Sequence, residues 1–344
     1  MFKQVITRYK RPVSLIGAIV ICALIPLFVH SPYYLDLLIM VLVNTILAMT
    51  FIMMLRSGLI SLGLAAFWGV GAYASTMLVM KLGLSFWLSL PVSALITAVI
   101  ALGLGYLLIK NVGFTFLIIT AIIGMLFVVA IGNTSFLGGY SGIANIPPPD
   151  PIRIPFLPPI EFVAKAQYFY LALFLFVVVV LICKAFYSAW TGRAWTAIGL
   201  SPQLAESLGI NVFRYRLLSF VVASGIAGLI GSFYAHYQGF IIPDTYGFIT
   251  TIYVQIYAVL GGIGHAVLGP VVGALVMTFF PEFMRTTREF SPIFVGVLLV
   301  LVVIFLPGGL LSLLDRRTGV TERVTRIGKV IKSSLSTIRK AGKA

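Results

Sequence analysis

The stretch Val112–Ile131, VGFTFLIITAIIGMLFVVAI, runs for 20 residues without a charged side chain and decides the fold class. A helix rises ~1.5 Å per residue, so a run of this length crosses the ~30 Å hydrocarbon layer of a bilayer once. The run is continuously apolar, whereas a membrane barrel strand alternates at period two. Similar runs recur along all 344 residues, of which 60% are hydrophobic and only 10% charged. A soluble domain carries roughly 25% charged residues, so the composition excludes a water-soluble globular protein. The class is all-α, a polytopic membrane protein.

Ten spans follow from the apolar runs: Val13–Val29, Leu35–Leu55, Leu62–Met80, Leu84–Ile109, Val112–Ile131, Tyr168–Phe186, Leu217–Tyr237, Tyr246–Gly262, Val267–Phe283 and Pro292–Leu314. The third, eighth, ninth and tenth are expected to be interrupted by Gly or Pro. The first follows Lys3, Arg8, Lys10 and Arg11 without a small-x-small cleavage site, and reads as a retained signal anchor. Lys and Arg stay on the cytoplasmic side of a membrane. With the N-terminus inside, 19 of the 24 fall there, and the split is about +16 inside against −1 outside. Both termini are then cytoplasmic. The net charge of +15 thus reflects topology and attraction to anionic lipid, and nucleic acid is not an expected partner. Cys22 and Cys183 lie in apolar runs, where a thiol packs as a small apolar group.

Residues 1–314 form the membrane domain and 315–344 a basic tail. Three segments outside the spans stand out. The extracytoplasmic loop 133–167 holds Pro147, Pro148, Pro149, Pro151, Pro155, Pro158 and Pro159, which impose extended backbone. It reads as a connector or as a docking surface. In the cytoplasmic segment 188–216, Ser201 can cap a short helix, Pro202 suits its first position and Gly209 the left-handed residue past its end. Leu204 and Leu208 share one face of that helix with Ala205 beside them, while Glu206 is turned elsewhere. Such a helix either docks a cytoplasmic partner or packs on its own bundle. In the tail, Val320, Val324, Ile327, Ile331, Leu335 and Ile338 alternate with basic residues, as in an amphipathic helix on a membrane surface or in a frayed tail.

Catalytic chemistry is absent. His30, His236 and His265 have no metal-ligand spacing, and a lone His at a span end reads as a hydrogen-bonded packing residue. No nucleophile-base constellation, cofactor pattern or metal site occurs. No carboxylate lies deep in a span, which weakens a proton-coupled transporter without excluding a sodium-coupled one. With no G-x-x-x-x-G-K-[ST] loop, any ATP that drives this protein is handled by another chain. Glycine is the positive signal, with 33 in the chain. Ala223, Ala227, Gly231 and Ala235 repeat every four residues, which makes one face of the seventh span small enough for close packing. Arg56–Gly71 and Leu260–Gly273 read as broken segments that line a path or as tight packing. Ser61, Gly63, Phe67, Gly261 and Gly264, with Gly138, Gly139 and Gly142, are the candidate path residues.

The stretch Gly192-Arg193-Ala194-Trp195-Thr196-Ala197-Ile198, then Ala205-Glu206-Ser207-Leu208-Gly209-Ile210-Asn211-Val212 and Arg214-Tyr215-Arg216-Leu217-Leu218-Ser219-Phe220, resembles the coupling segment of LivM-type permeases. These are membrane subunits of ABC importers for branched-chain amino acids, with relatives that import urea and short amides. Ser61-Leu62-Gly63-x-Ala65-Ala66-Phe67-x-Gly69-x-Gly71-Ala72-Tyr73, Leu137-Gly138-Gly139-x-x-Gly142-Ile143, Leu260-Gly261-Gly262-Ile263-Gly264 and Leu306-Pro307-Gly308-Gly309-Leu310 match in the same order. The resemblance implies a LivH-type companion permease, two ABC ATPase subunits at 188–216 and an extracytoplasmic solute-binding protein. It places ATPase coupling on Gly192, Arg193, Ser201, Leu204, Ala205, Glu206, Leu208 and Gly209. It departs from the family at Leu59, Leu64 and Leu137, where polar groups are usual, and at Gly199, Leu200 and Ser201. A secondary transporter or channel working without an ATPase is the alternative, as is an importer of urea or short amides.

Overall fold

The computed structural model describes residues 22–24, 26, 31–110, 113–151, 162–283, 296, 300, 304, 306 and 308–313. The principal helices are α1 (Pro32–Arg56), α2 (Leu64–Met80), α3 (Phe86–Leu108), α4 (Phe114–Gly132), α5 (Lys165–Ser188), α6 (Trp190–Leu200), α7 (Pro202–Ser207), α8 (Val212–Gln238), α9 (Phe248–Gly261) and α10 (Leu268–Phe283). Among the described residues, β-structure is limited to a two-residue antiparallel pair, β1 (Ile143–Ala144) with β2 (Phe240–Ile241). The chain is an all-α membrane protein. Helices α1, α3, α4, α5 and α8 are long and apolar enough to cross a bilayer, and α2, α9 and α10 are shorter apolar helices. The second to ninth expected spans correspond to α1–α5 and α8–α10. The first and tenth lie mostly outside the described residues, and the tail 315–344 wholly outside them.

Two boundaries differ from the sequence reading, each for a physical reason. The seventh span begins at Val212 rather than Leu217, because the Asn211 side chain accepts a hydrogen bond from the Arg214 amide at 3.0 Å and caps the helix. Counting apolar residues stops at Arg214 and Arg216, but helical geometry does not. The Gly and Pro residues expected to interrupt the third, eighth and ninth spans leave α2, α9 and α10 continuous, with Pro281 inside α10. Gly69 and Gly71 lie within continuous α2, and Pro270 in the first turn of α10, where a missing N–H costs no helical bond.

Helix α8 is the centre, with α1, α2 and α3 packed along it; α1 in turn meets α5 and the α9–α10 pair. Its small residues explain why. A methyl carbon on Gly71 of α2 would overlap the Gly228 carbonyl, one on Gly231 the Trp68 carbonyl, and one on Gly228 the Thr97 hydroxyl of α3. Ala223, Ala227 and Ala235 are fully buried on the same helix. In hydrocarbon, helices associate by close packing and hydrogen bonding rather than by expelling water, so close approach at these small residues is what holds the three together. Leu95, Val99, Leu102 and Leu107 of α3, with Ile122, Met125, Leu126 and Val129 of α4, are exposed. An apolar surface of that extent suits lipid or another membrane chain.

At the end where α3 begins, the Pro-rich loop is tied down. The Asp150 carboxylate accepts from the Phe86 amide at 2.8 Å, at the start of α3, where free N–H groups favour an anion. The Trp87 indole donates to the Asp150 carbonyl at 3.0 Å. His236 of α8 is buried, with Nδ1 2.7 Å from the Pro147 carbonyl and Nε2 3.0 Å from the Ser75 hydroxyl. A neutral ring that donates from Nδ1 and accepts at Nε2 satisfies both contacts. It is a packing histidine. Nearby, Lys165 of α5 donates to Asp36 of α1 and to the Tyr237 hydroxyl of α8, each at 2.9 Å, and Tyr237 donates to the same carboxylate. These contacts pin three helix ends together.

The α2–α8 seam yields a paired prediction. Gly71→Ala should destabilise the purified chain by about 1–3 kcal/mol, the usual range for overpacking. Gly103→Ala, on α3 with nothing within 4 Å of the added carbon, should be neutral or stabilise by about 0.5–1 kcal/mol through helix propensity. Thermal unfolding in detergent, followed by loss of the monodisperse peak, reads both; equal effects would show that the seam is not what holds α2.

Candidate functional site

The segment 188–216 folds as two helices braced against the bundle. Trp195 of α6 is fully buried, stacks on Phe186 with centroids 5.6 Å apart, and donates from its indole to the Tyr215 carbonyl at 2.7 Å. A methyl carbon on Gly199 would lie 2.5 Å from the Arg56 carbonyl, so only glycine lets α6 seat on the end of α1. Ser201 caps α7, its hydroxyl accepting from the Leu204 amide at 3.4 Å, and Gly209 takes the left-handed conformation at φ +79°. Ala205 is buried in a small cluster with Ile198 and Val212. Leu200, Leu204 and Leu208 instead face outward with 84%, 62% and 72% of their surface exposed. Gly192 packs on the Tyr187 backbone, and Arg193 lies over the exposed Trp190 ring at 5.1 Å. Glu206 and Gly209 border a shallow groove with Ile210 and Asn211.

Leu200 escaped the sequence reading, although it precedes Leu204 and Leu208 at the same spacing of four. The Ser201–Pro202 break between α6 and α7 hid it. Helix α6 itself was missed because Gly192 and Gly199 look like helix breakers, whereas here each makes room for a neighbouring backbone.

Residues 57–63 connect α1 to α2 outside either helix: the Ser57, Gly58 and Leu59 amides turn back onto the Met54 and Leu55 carbonyls, and Leu62 lies beside Thr120 of α4. Unsatisfied backbone groups in hydrocarbon cost several kcal/mol each, so such a segment persists only when protein supplies partners. The Leu62 amide donates to the Thr120 hydroxyl and the Ala65 amide to the Thr251 hydroxyl, both at 3.0 Å. Gln255 of α9 donates to the Ser61 carbonyl at 3.0 Å, and Arg216 Nε to the Ser57 carbonyl at 3.1 Å. The Ser57 and Ser219 hydroxyls are 2.6 Å apart. Thr120, Thr251, Gln255 and Arg216 are hydrogen-bonding supports of this segment and of the start of α2, and no local pattern marks them.

The candidate path residues fall into separate groups. Ser61 and Phe67 are buried, and a methyl carbon on Gly63 would overlap the Thr120 carbonyl. Gly261 is pressed against Gly269 and Gly273, while Gly264 has nothing within 4 Å of such a carbon. Ser61 and Gly261 are linked through α9, which carries Gln255. Gly138, Gly139 and Gly142 lie apart, in two 3-10 turns after α4, where Gly142 backs onto the Ile241 carbonyl. Leu59 and Leu64 are fully buried in the core, and Leu137 packs against it. No group of three or more metal-ligating side chains occurs among the described residues.

Comparison with known proteins matches residues 33–306 to the family described as branched-chain amino acid transport system / permease component. The chain is 30% identical over 275 residues to the high-affinity branched-chain amino acid transport system permease protein LivM of Salmonella typhimurium, covering 75% of this chain and 64% of that one. LivM of Escherichia coli is 30% identical over 281 residues with the same coverage. Escherichia coli LivH, a permease protein of the same transport system, is 31% identical over 123 residues, 35% of this chain and 39% of its own. The chain thus spans somewhat under two thirds of the length of the LivM relatives. No solved structure gives a significant match. The family match covers most of the chain, includes the broken segment 57–63, the braced segment 188–216 and the glycine contacts of α9 and α10, and the chain belongs to the branched-chain amino acid transport system permease component family.

Proposed function

We propose that this chain is the membrane-spanning permease subunit of an ATP-driven ABC importer, forming half of a translocation path together with a LivH-type permease. Two ATPase subunits dock on the 188–216 segment, and a solute-binding protein delivers the solute from outside. The chain sits in the bacterial or archaeal plasma membrane with ten spans and both termini in the cytoplasm, and it hydrolyses nothing itself.

The observation that carries this reading is the outward row Leu200, Leu204 and Leu208 on a segment otherwise locked to the bundle. Exposed leucines on a charged cytoplasmic surface suit a partner's apolar groove. The bracing matters equally. Gly199 sits on the end of α1, Ala205 on Val212 at the start of α8, and Arg216 on Ser57. Closure of an ATPase pair against α7 would therefore move α1 and α8 as bodies and reorient the bundle, which is alternating access driven from the cytoplasmic side. Positions Ser61, Gly63, Phe67, Gly138, Gly139, Gly142, Gly261 and Gly264 then border or support the moving path.

Leu204→Asp should leave insertion and folding intact, since the side chain touches little of the bundle, yet reduce solute-stimulated transport by at least about tenfold, the equivalent of ~1.4 kcal/mol of lost docking. Crosslinking should start from Leu208→Cys, which faces outward, because Ala205 faces inward. No crosslink to an ATPase subunit anywhere on α7 would refute the docking assignment.

The solute is a branched-chain or other apolar amino acid. The LivM and LivH relatives are named for branched-chain amino acid transport. Leucine should be taken up by vesicles that hold the whole complex and its binding protein, and urea should not. Robust urea uptake without leucine uptake would overturn the assignment.

A further inference from the structure

A cavity of about 190 Å³ opens where α8 ends, lined by Tyr234, Gln238, Phe240, Ile241, Ile242, Thr245 and Tyr246. It exceeds by far the ~10–15 Å³ that one water needs and falls short of the ~300–1,000 Å³ of drug-sized sites. It therefore fits a small solute. No charged side chain lines it. Phe240, Ile241 and Ile242 give the lining apolar side chains, and Gln238, Tyr234 and Thr245 give it polar ones. Gln238 donates to the Tyr234 hydroxyl at 3.0 Å, which leaves the Gln238 carbonyl free to accept and the Tyr234 hydroxyl free to donate.

Tyr246 also lines the cavity, and around it the packing is unusual. Tyr246 and Tyr234 both lean on Trp68, with ring centroids 4.7 and 4.8 Å from it, and Tyr73 lies 6.1 Å from Tyr246. Trp68, Tyr73 and Tyr246 are buried to within 4% of their surface, yet the Trp68 indole N–H and the Tyr73 and Tyr246 hydroxyls have no hydrogen-bond partner. Partnerless buried polar groups are costly, and phenylalanine would pack in place of either tyrosine without that cost. The chain keeps room for this cluster: a methyl carbon on Gly69 would lie 2.7 Å from Tyr246 Cβ.

We infer that the cavity and the adjoining aromatic cluster are a solute station for a net-neutral, amphipathic molecule with a zwitterionic or amide head and an apolar side chain. The side chain lies on Ile241 and Ile242. The head meets Gln238, Tyr234 and Thr245 first, and the hydroxyls and indole of Tyr246, Tyr73 and Trp68 are the next hydrogen-bonding groups inward. Aromatic faces also attract an ammonium group without any fixed negative charge. The inference rests on the importer reading for its direction of travel, but the site has its own test.

In right-side-out membrane vesicles that hold the complete complex, Thr245→Cys is reacted with a membrane-impermeant maleimide, with the wild-type chain giving the background from Cys22 and Cys183. Saturating leucine should slow the labelling by about fivefold or more, and urea should not. Gln238→Cys repeats the measurement if Thr245→Cys does not assemble. In parallel, Tyr246→Phe should keep or raise the unfolding temperature while lowering leucine uptake by about fivefold to tenfold, because one hydrogen bond to solute is lost. Protection by leucine without wild-type leucine uptake would sink the importer reading and leave the site standing. Normal wild-type uptake with no protection at either cysteine, and with Tyr246→Phe at the wild-type rate, would overturn the site and show the cluster to be packing. Protection by urea and not by leucine would overturn the proposed solute class.

Discussion

The rest of this structure depends on the close approach of α2 to α8. Lipid tails are as apolar as leucine, so burying side chains between helices gains little in a membrane, and contact distance decides which helices stay together. Gly71 lies against Gly228 and Gly231 against the Trp68 carbonyl, which no larger residue would allow. With α2 held at that distance, Trp68 meets Tyr234, and Gly69 leaves the gap that Tyr246 fills. The 243–247 turn is thereby drawn inward between α2 and α4, and the start of α9 follows it.

Such an arrangement leaves α2 short, with 17 residues, and preceded by the non-helical 57–63 segment, whose buried polar groups need partners. The compensation is distributed. Thr120 comes from α4, Thr251 and Gln255 from α9, and Arg216 and Ser219 from α8. The segment and the first turn of α2 thus make polar contacts with three helices, α4, α8 and α9. The same end receives α6, whose Gly199 rests on Arg56. The 188–216 segment thus meets α1 through backbone contact at Gly199 and α8 through the Ala205 and Trp195 side chains.

Much of the candidate site was legible because the signals are local. The short helix at Ser201–Gly209 could be read from its cap, its proline and its terminal glycine, and it stands where those residues put it, as α7. Its orientation was less legible. Leu204, Ala205 and Leu208 were grouped together, but Ala205 turns inward to Ile198 and Val212, and Leu200 joins the outer row from the preceding helix. Which side of a helix faces the bundle depends on what lies beside it, and for α7 those neighbours are α6 and the start of α8.

By itself the sequence determined the membrane class, the positions of eight helices as apolar runs, and the small face of α8. It could do so because hydrocarbon thickness dictates run length and a helix dictates which residues share a face. Only the tertiary structure decided the partners of buried polar groups. His236 meets a carbonyl 89 positions away, Ser57 a guanidinium 159 away, and the Ala65 amide a hydroxyl 186 away. Nothing in a local window marks such residues, since a serine, threonine or histidine in an apolar run looks the same whether it packs, pairs or waits for a solute. The need to satisfy each polar group out of water is general, but which group satisfies it is settled by how closely the glycines let the helices approach.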